Sequence, residues 1–194
     1  MLSRLLVLAL LVFAGTADAG WRWGQRVYNM GQSAGGCSGQ TLIAQGDGTI
    51  IGDMDFAGGE DVAFDGTKIG ACLGACAGSE DPATTDKVYI GKDWGAGVTR
   101  NVNGIKTWGG SNVGYTTGAV SVDLEIWGSN TAPTGPENGT QIKVFASFTD
   151  GTSTDPREDL TLDSTVAYRY HWLTIDRGGD DISYLVELEF YECT

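Results

Sequence analysis

The chain has 194 residues, with 25 acidic against 12 basic side chains, a net charge of −13 and a pI near 4.2. Such a surface repels phosphate backbones and anionic lipid, which excludes nucleic acid as a partner and leaves neutral sugars and cations. At 41% hydrophobic and 10% aromatic residues the chain can build a core, which excludes a disordered one.

The chain opens MLSRLLVLALLVFAGTADA. Arg4 precedes an apolar run, Leu5 to Ala14, and Ala17-Asp18-Ala19 supplies a small-x-small cleavage pattern. These features predict a secretory signal peptide over residues 1–19, too short and wrongly flanked for a membrane span. Cleavage after Ala19 leaves 175 residues, the size of one domain. No later apolar run approaches the roughly 20 residues of a membrane helix, and no cysteine follows the cleavage site as a lipid anchor would require. The expectation is a secreted protein, extracellular or at a cell surface.

Residues 20–40 read as an N-terminal extension. GQSAG at 31–35 matches the G-x-S-x-G nucleophile elbow, but the elbow needs a strand leading in and a helix leading out. GGCSG follows instead and cannot begin a stable helix, so no catalytic residue is assigned there.

From residue 41 onward, apolar stretches are short and often alternate. They are TLIA at 41–44, KVYIG at 87–91, VNGIKTW at 102–108, AVSVDLEIWG at 119–128, QIKVFASF at 141–148, VAYRYHWLTI at 166–175 and SYLVELEFYE at 183–192. Between them lie DG, GG, GSN and PTGPENG, which is turn chemistry, and no segment sustains a helical period beyond two turns. Strands at this spacing predict an all-β, antiparallel sandwich or barrel. In AVSVDLEIWG, Val120, Val122, Leu124 and Ile126 share a core face while Ser121, Asp123, Glu125 and Trp127 face solvent. In LVELEFYE, Val186, Leu188 and Phe190 form the core face, with Leu185, Glu187, Glu189 and Tyr191 pointing away. His171, the single histidine, lies inside a strand beside Arg169 and Leu173, and reads as scaffold rather than catalyst. No carboxylate pair is singled out by its setting for glycoside hydrolysis. Asn138-Gly139-Thr140 fits a glycosylation sequon, relevant in a host that glycosylates.

The four cysteines are Cys37, Cys72, Cys76 and Cys193. An even count in an exported chain reads as disulfides, with three possible connectivities. Cys72 and Cys76 are close enough for a local bridge if the loop bends, which leaves Cys37 with Cys193 to join the two ends. A zinc site is disfavoured by the single histidine and the lack of a CxxC pair.

AFDGT (63–67), YIGKDWG (89–95), IWGSN (126–130), YRYHWLTI (168–175) and YLVELEFYE (184–192), in this order, resemble the discoidin domain, also called the coagulation-factor type C or galactose-binding-like domain. Many bacterial carbohydrate-binding modules share it. Cysteines bracketing the sandwich are also similar to that family. The likeness covers roughly 41–193, with LIAQGDGTI as the opening strand, and gives a domain over 41–194. DWG replaces the commoner D-L-G, the second arginine of the YRYHWLTI pattern is absent, and the segment after AFDGT is unusually long.

The resemblance implies a jelly-roll sandwich with ligand-binding loops at one end and a structural calcium ion. Its calcium ligands would be Asp65, Glu187 and carbonyls around Ala63 and Thr67, the oxygen set a hard cation takes. A sugar site in this family combines a stacking ring with polar groups, and Trp108, Ser111, Asn112 and Tyr115 in WGGSNVGY fit that description. Trp94 and Trp172 read as core. The functional expectation is a secreted, non-enzymatic glycan-binding or adhesion module with glycans or glycoconjugates as partners. The alternative is a structural subunit of an extracellular or virion assembly, using the same fold for protein contacts.

Overall fold

The computed structural model describes residues 39–68, 72, 76–79, 87–110, 115, 121–149, 158–162, 166–176 and 182–193. Among them run twelve strands: β1 (Gln40–Leu42), β2 (Thr49–Gly52), β3 (Phe56–Ala57), β4 (Ala77–Gly78), β5 (Lys87–Asp93), β6 (Val102–Trp108), β7 (Ser121–Ser129), β8 (Thr140–Thr149), β9 (Glu158–Thr161), β10 (Tyr170–Asp176), β11 (Tyr184–Leu185) and β12 (Glu187–Cys193). A 3-10 turn, Glu60–Phe64, lies between β3 and β4.

The strands form a five-stranded sheet in the order β2-β5-β10-β7-β8 and a four-stranded sheet in the order β1-β12-β6-β9. A small third sheet, β11-β4-β3, completes the set, and every strand pair is antiparallel. Val88 and Ile90 of β5, Val122, Leu124 and Ile126 of β7, and Leu173 and Ile175 of β10 pack with Val102 and Ile105 of β6 and Leu188 and Phe190 of β12. This is the expected antiparallel sandwich, two sheets facing each other across one apolar layer.

Each of the seven expected strand segments overlaps an observed strand, and Val122, Leu124 and Ile126 all point into the core as expected. The expected opening strand LIAQGDGTI is instead split in two. β1 ends at Leu42, the main-chain N–H of Asp47 donates to the Ala44 carbonyl in a turn, and β2 starts at Thr49 in the other sheet. β3, β4 and β9 were not anticipated. Two are only two residues long, below what alternation can register.

Face assignments also need correction. Glu125 and Trp127, expected toward solvent, are buried on the outer face of the five-stranded sheet, where Trp127, Tyr170 and Trp172 form their own cluster with Ile51 and Tyr89. Glu187 and Glu189 point away from the main core, as expected, yet both are buried. The chain bends at Val186 between β11 and β12, so Leu185 enters the main core while Val186 joins Trp108, Tyr184, Cys72 and Cys76 in a second cluster. A one-residue break of this kind reverses the side-chain parity of a strand.

Candidate functional site

The register divides the sandwich into two ends. At one, Asp93, Ser129, Tyr170, Thr49 and Glu192 lie together. There Arg100 bridges Asp47 and Glu192, each at 2.9 Å, and Arg169 grips Asp93 through two bonds of 2.7 Å. The Arg169 guanidinium holds the Asp93 carboxyl below the usual carboxylate range. Trp94, behind these pairs, is core, and its indole N–H donates to His171 Nδ1 at 2.9 Å. Ion pairs among partly exposed side chains occupy this end.

At the other end β6 finishes on Trp108 and β12 begins at Glu187. The stacking role expected of Trp108 and Tyr115 is overturned here: Trp108 is 2% exposed and Tyr115 1%. Trp108 packs with the Cys72–Cys76 disulfide and Val186, with the Lys68 ammonium over its ring at 4.7 Å. The Tyr115 hydroxyl pairs with Thr107 Oγ1, and its carbonyl accepts from the Tyr184 N–H. A sugar stacks only on an open ring face, and neither ring has one. The glycine-rich setting suggested exposure, but the segment beyond Thr67 supplies the disulfide that covers Trp108. Ser111 and Asn112 lie outside the described residues.

The Cys72–Cys76 bridge is the local one expected. Cys193 is disulfide-bonded as well, while Cys37 lies outside the described residues, as do the rest of the extension through residue 38 and its GQSAG motif.

Of the residues expected to hold calcium, Asp65 and Glu187 are near enough to interact through their charges. Glu187, fully buried, accepts from the Gly66 N–H at 3.1 Å and from the Gln45 side-chain amide, which also donates to the Leu188 carbonyl. Gly66 takes φ 82°, a conformation open to glycine, and so turns its N–H toward the carboxylate. Burial, then the charges of Glu189 and Asp65, push the Glu187 pKa up to about 7. Asp65 Oδ1 accepts from the Thr67 N–H at 2.7 Å, and Lys68 pairs with Glu189 at 2.7 Å. Among the described residues no three His, Cys, Asp or Glu side chains gather as a metal set, so a cation here would draw its further ligands from main-chain carbonyls. A buried carboxylate near a second carboxylate fits a hard cation, whose charge would offset the burial that chiefly raises the Glu187 pKa.

His171 is 0% exposed and faces the core, packed against the rings of Trp94, Tyr168 and Phe190. Burial pushes its pKa down to about 3, so it stays neutral, and its Nε2 has no hydrogen-bond partner among the described residues. Substrate could not reach it.

Among the described residues the open ring at this end is Phe56, 42% exposed, which no pattern in the sequence distinguishes. It pairs with Gly78 of β4, whose missing side chain leaves room between the Phe56 and Tyr184 rings. Ala57, next in the chain, has φ 64°, the sole positive φ at a non-glycine among the described residues. Strain of this kind clusters where a chain is held for a ligand. Asp55, exposed on one side of Phe56, is close enough to Glu60 that burial and then the Asp55 charge raise the Glu60 pKa. The local signal, one aromatic within GDMDFAGGED, is too short to show alternation.

No protein-family model matches the chain, and no curated protein does. Solved structures do. The F5/8 type C domain of a Bacteroides fragilis protein superposes with a TM-score of 0.57 at 13% identity, over 81% of this chain and 99% of that one. A CBM32 module from Clostridium perfringens, solved in complex with GalNAc-β-1,3-galactose, gives 0.56 at 14% identity, over 77% and 99%. CBM62 from Clostridium thermocellum Xyl5A gives 0.50 at 20% identity, over 79% and 97%. The chain has the discoidin-like, galactose-binding-like β-sandwich fold.

Proposed function

We propose that this chain is an exported, non-enzymatic glycan-binding or adhesion module. The observation that carries the reading is the fold, which it shares with modules solved holding galactose or GalNAc-β-1,3-galactose. The glycan lies at the end bearing the three-stranded sheet, with Phe56 as the stacking ring and Asp55 accepting from sugar hydroxyls. Support comes from the open Phe56 face and the strained Ala57 beside it, while the opposite end carries ion pairs that already satisfy its charged groups. The burial of the one histidine agrees with a binding role rather than catalysis. Calcium is held by Asp65 and Glu187 with the carbonyls of Ala63 and Thr67, where it supports the turn beneath this end.

A glycan array probed with the mature protein tests the function, and Phe56→Ala tests the site. Loss of a stacking ring weakens retention by about 1–3 kcal/mol while the melting temperature stays within a few degrees of the parent. Full retention by Phe56→Ala moves the site elsewhere; an array without a hit refutes the sugar reading.

A further inference from the structure

The loop joining β7 to β8, residues 130–139, folds back over the outer face of the five-stranded sheet. Its Pro136 carbonyl accepts from both the Trp172 indole N–H at 2.7 Å and the Thr174 hydroxyl at 2.8 Å. Glu137, the next residue, pairs with Lys87 at 2.6 Å, and Lys87 also holds Glu125 and Asp176. The loop thus covers Trp172, which stacks on Trp127 with ring centres 6.4 Å apart and planes within 8°.

This packing restricts the residue after Asn138. A Cβ at position 139 would lie 2.5 Å from Trp172 Cη2 and 2.9 Å from the Gly128 carbonyl oxygen, well inside carbon contact distance, so only glycine fits. Glycine is also the residue whose main-chain nitrogen is least shielded from the preceding side chain. Asn138 and Gly139 are both exposed to water. Close packing on Trp172 therefore leaves an asparagine–glycine pair open at the surface, an arrangement among the thermolabile ones in proteins.

We propose that Asn138 is a site of spontaneous deamidation, in which Gly139 attacks its side chain and the product loosens the loop from Trp172. The Gly139 nitrogen loses its proton and bonds to Asn138 Cγ, the Cγ–Nδ2 bond breaks, and ammonia departs with that proton. Water then opens the resulting five-membered imide at either carbonyl, leaving an aspartyl or an isoaspartyl residue. No oxidant or enzyme is needed. Either product adds a negative charge beside Glu137, in a cluster where Lys87 already serves three carboxylates. The isoaspartyl product also inserts an extra main-chain atom between the Pro136 anchor and Thr140, which pairs with Gly128 at the start of β8. The chain between two fixed points becomes longer, and the Pro136 carbonyl is carried off Trp172.

The test incubates the purified full chain at mildly alkaline pH beside Asn138→Ser and Asn138→Gln, then applies peptide mass mapping, isoaspartate detection and tryptophan emission. The expected result is exchange of amide for carboxyl in the peptide carrying Asn138, absent from both variants. Serine has no carbonyl to attack, and glutamine would need a less favoured six-membered ring. Emission should shift to the red in step with the isoaspartyl fraction in the parent alone. An unmodified Asn138, or ammonia loss shared evenly with other asparagines, overturns the site. Emission unchanged at high isoaspartyl content overturns the loosening.

Discussion

Acidification charges any histidine whose protonated form the fold tolerates, and in this chain the question falls on one residue, since His171 is the only histidine. It is fully buried, its Nδ1 accepts from Trp94, and burial lowers its pKa from 6.5 to about 3. In the unfolded chain the same imidazole takes its proton near the ordinary value. Between those two pKa values the unfolded state holds more protons, so stability is fully present above about pH 6.5 and falls as pH falls. Each unit of that window is worth about 1.4 kcal/mol, so reaching pH ~4.5 removes about 3 kcal/mol and reaching pH ~3 about 5 kcal/mol. The assay is urea denaturation at a series of pH values on the parent and on His171→Gln, which retains an acceptor for the Trp94 indole. Subtracting the two curves cancels the carboxylates common to both. Because there is one imidazole, its NMR resonance can also be followed without assignment. Parallel pH–stability curves, or an imidazole titrating near pH 6.5 in the folded protein, would refute the reasoning.

Trp108→Ala should cost about 3–5 kcal/mol of folding stability, read as a fall in denaturation midpoint, because it empties the cluster around the Cys72–Cys76 bridge; a variant as stable as the parent that has lost glycan retention would restore Trp108 to the binding site. Chelation should lower the melting temperature of the parent and leave that of Asp65→Ala unchanged, with about 2.7 kcal/mol at stake when calcium stands a hundredfold above its Kd; coincident parent curves with and without chelator remove the ion. With chelator present, the raised pKa of Glu187 stabilises the fold below about pH 4.5, and this contribution is lost as pH rises through about 7; a flat difference between parent and Glu187→Gln across that window contradicts it. Mass mapping of the unreduced protein should recover Cys72 joined to Cys76 and Cys193 joined to Cys37, and free thiols at these positions would sink both the pairing and the export argument.

Period-two alternation was sufficient for the sandwich. Val122, Leu124 and Ile126, or Leu188 and Phe190, point into the core because neighbouring strand residues must face opposite sides, a local rule that needs no partner. Alternation says which side a residue takes but not what covers that side. It places Glu125 and Trp127 correctly on an outer face but incorrectly toward solvent, and it places Glu187 and Glu189 off the core face without revealing their burial, since the cover of all four comes from far along the chain. Gln141 and Lys87 reach Glu125, Lys68 reaches Glu189, and Gln45 and Gly66 reach Glu187. The same distance effect decides the rings: Trp108 looks open beside its glycines until Cys72, Cys76 and Val186 close over it, and Phe56 looks ordinary until a two-residue strand pair holds it at the surface. Residue types and strand order are properties of the sequence read locally. Exposure is set by contacts between segments tens of residues apart, and only the folded chain brings those together.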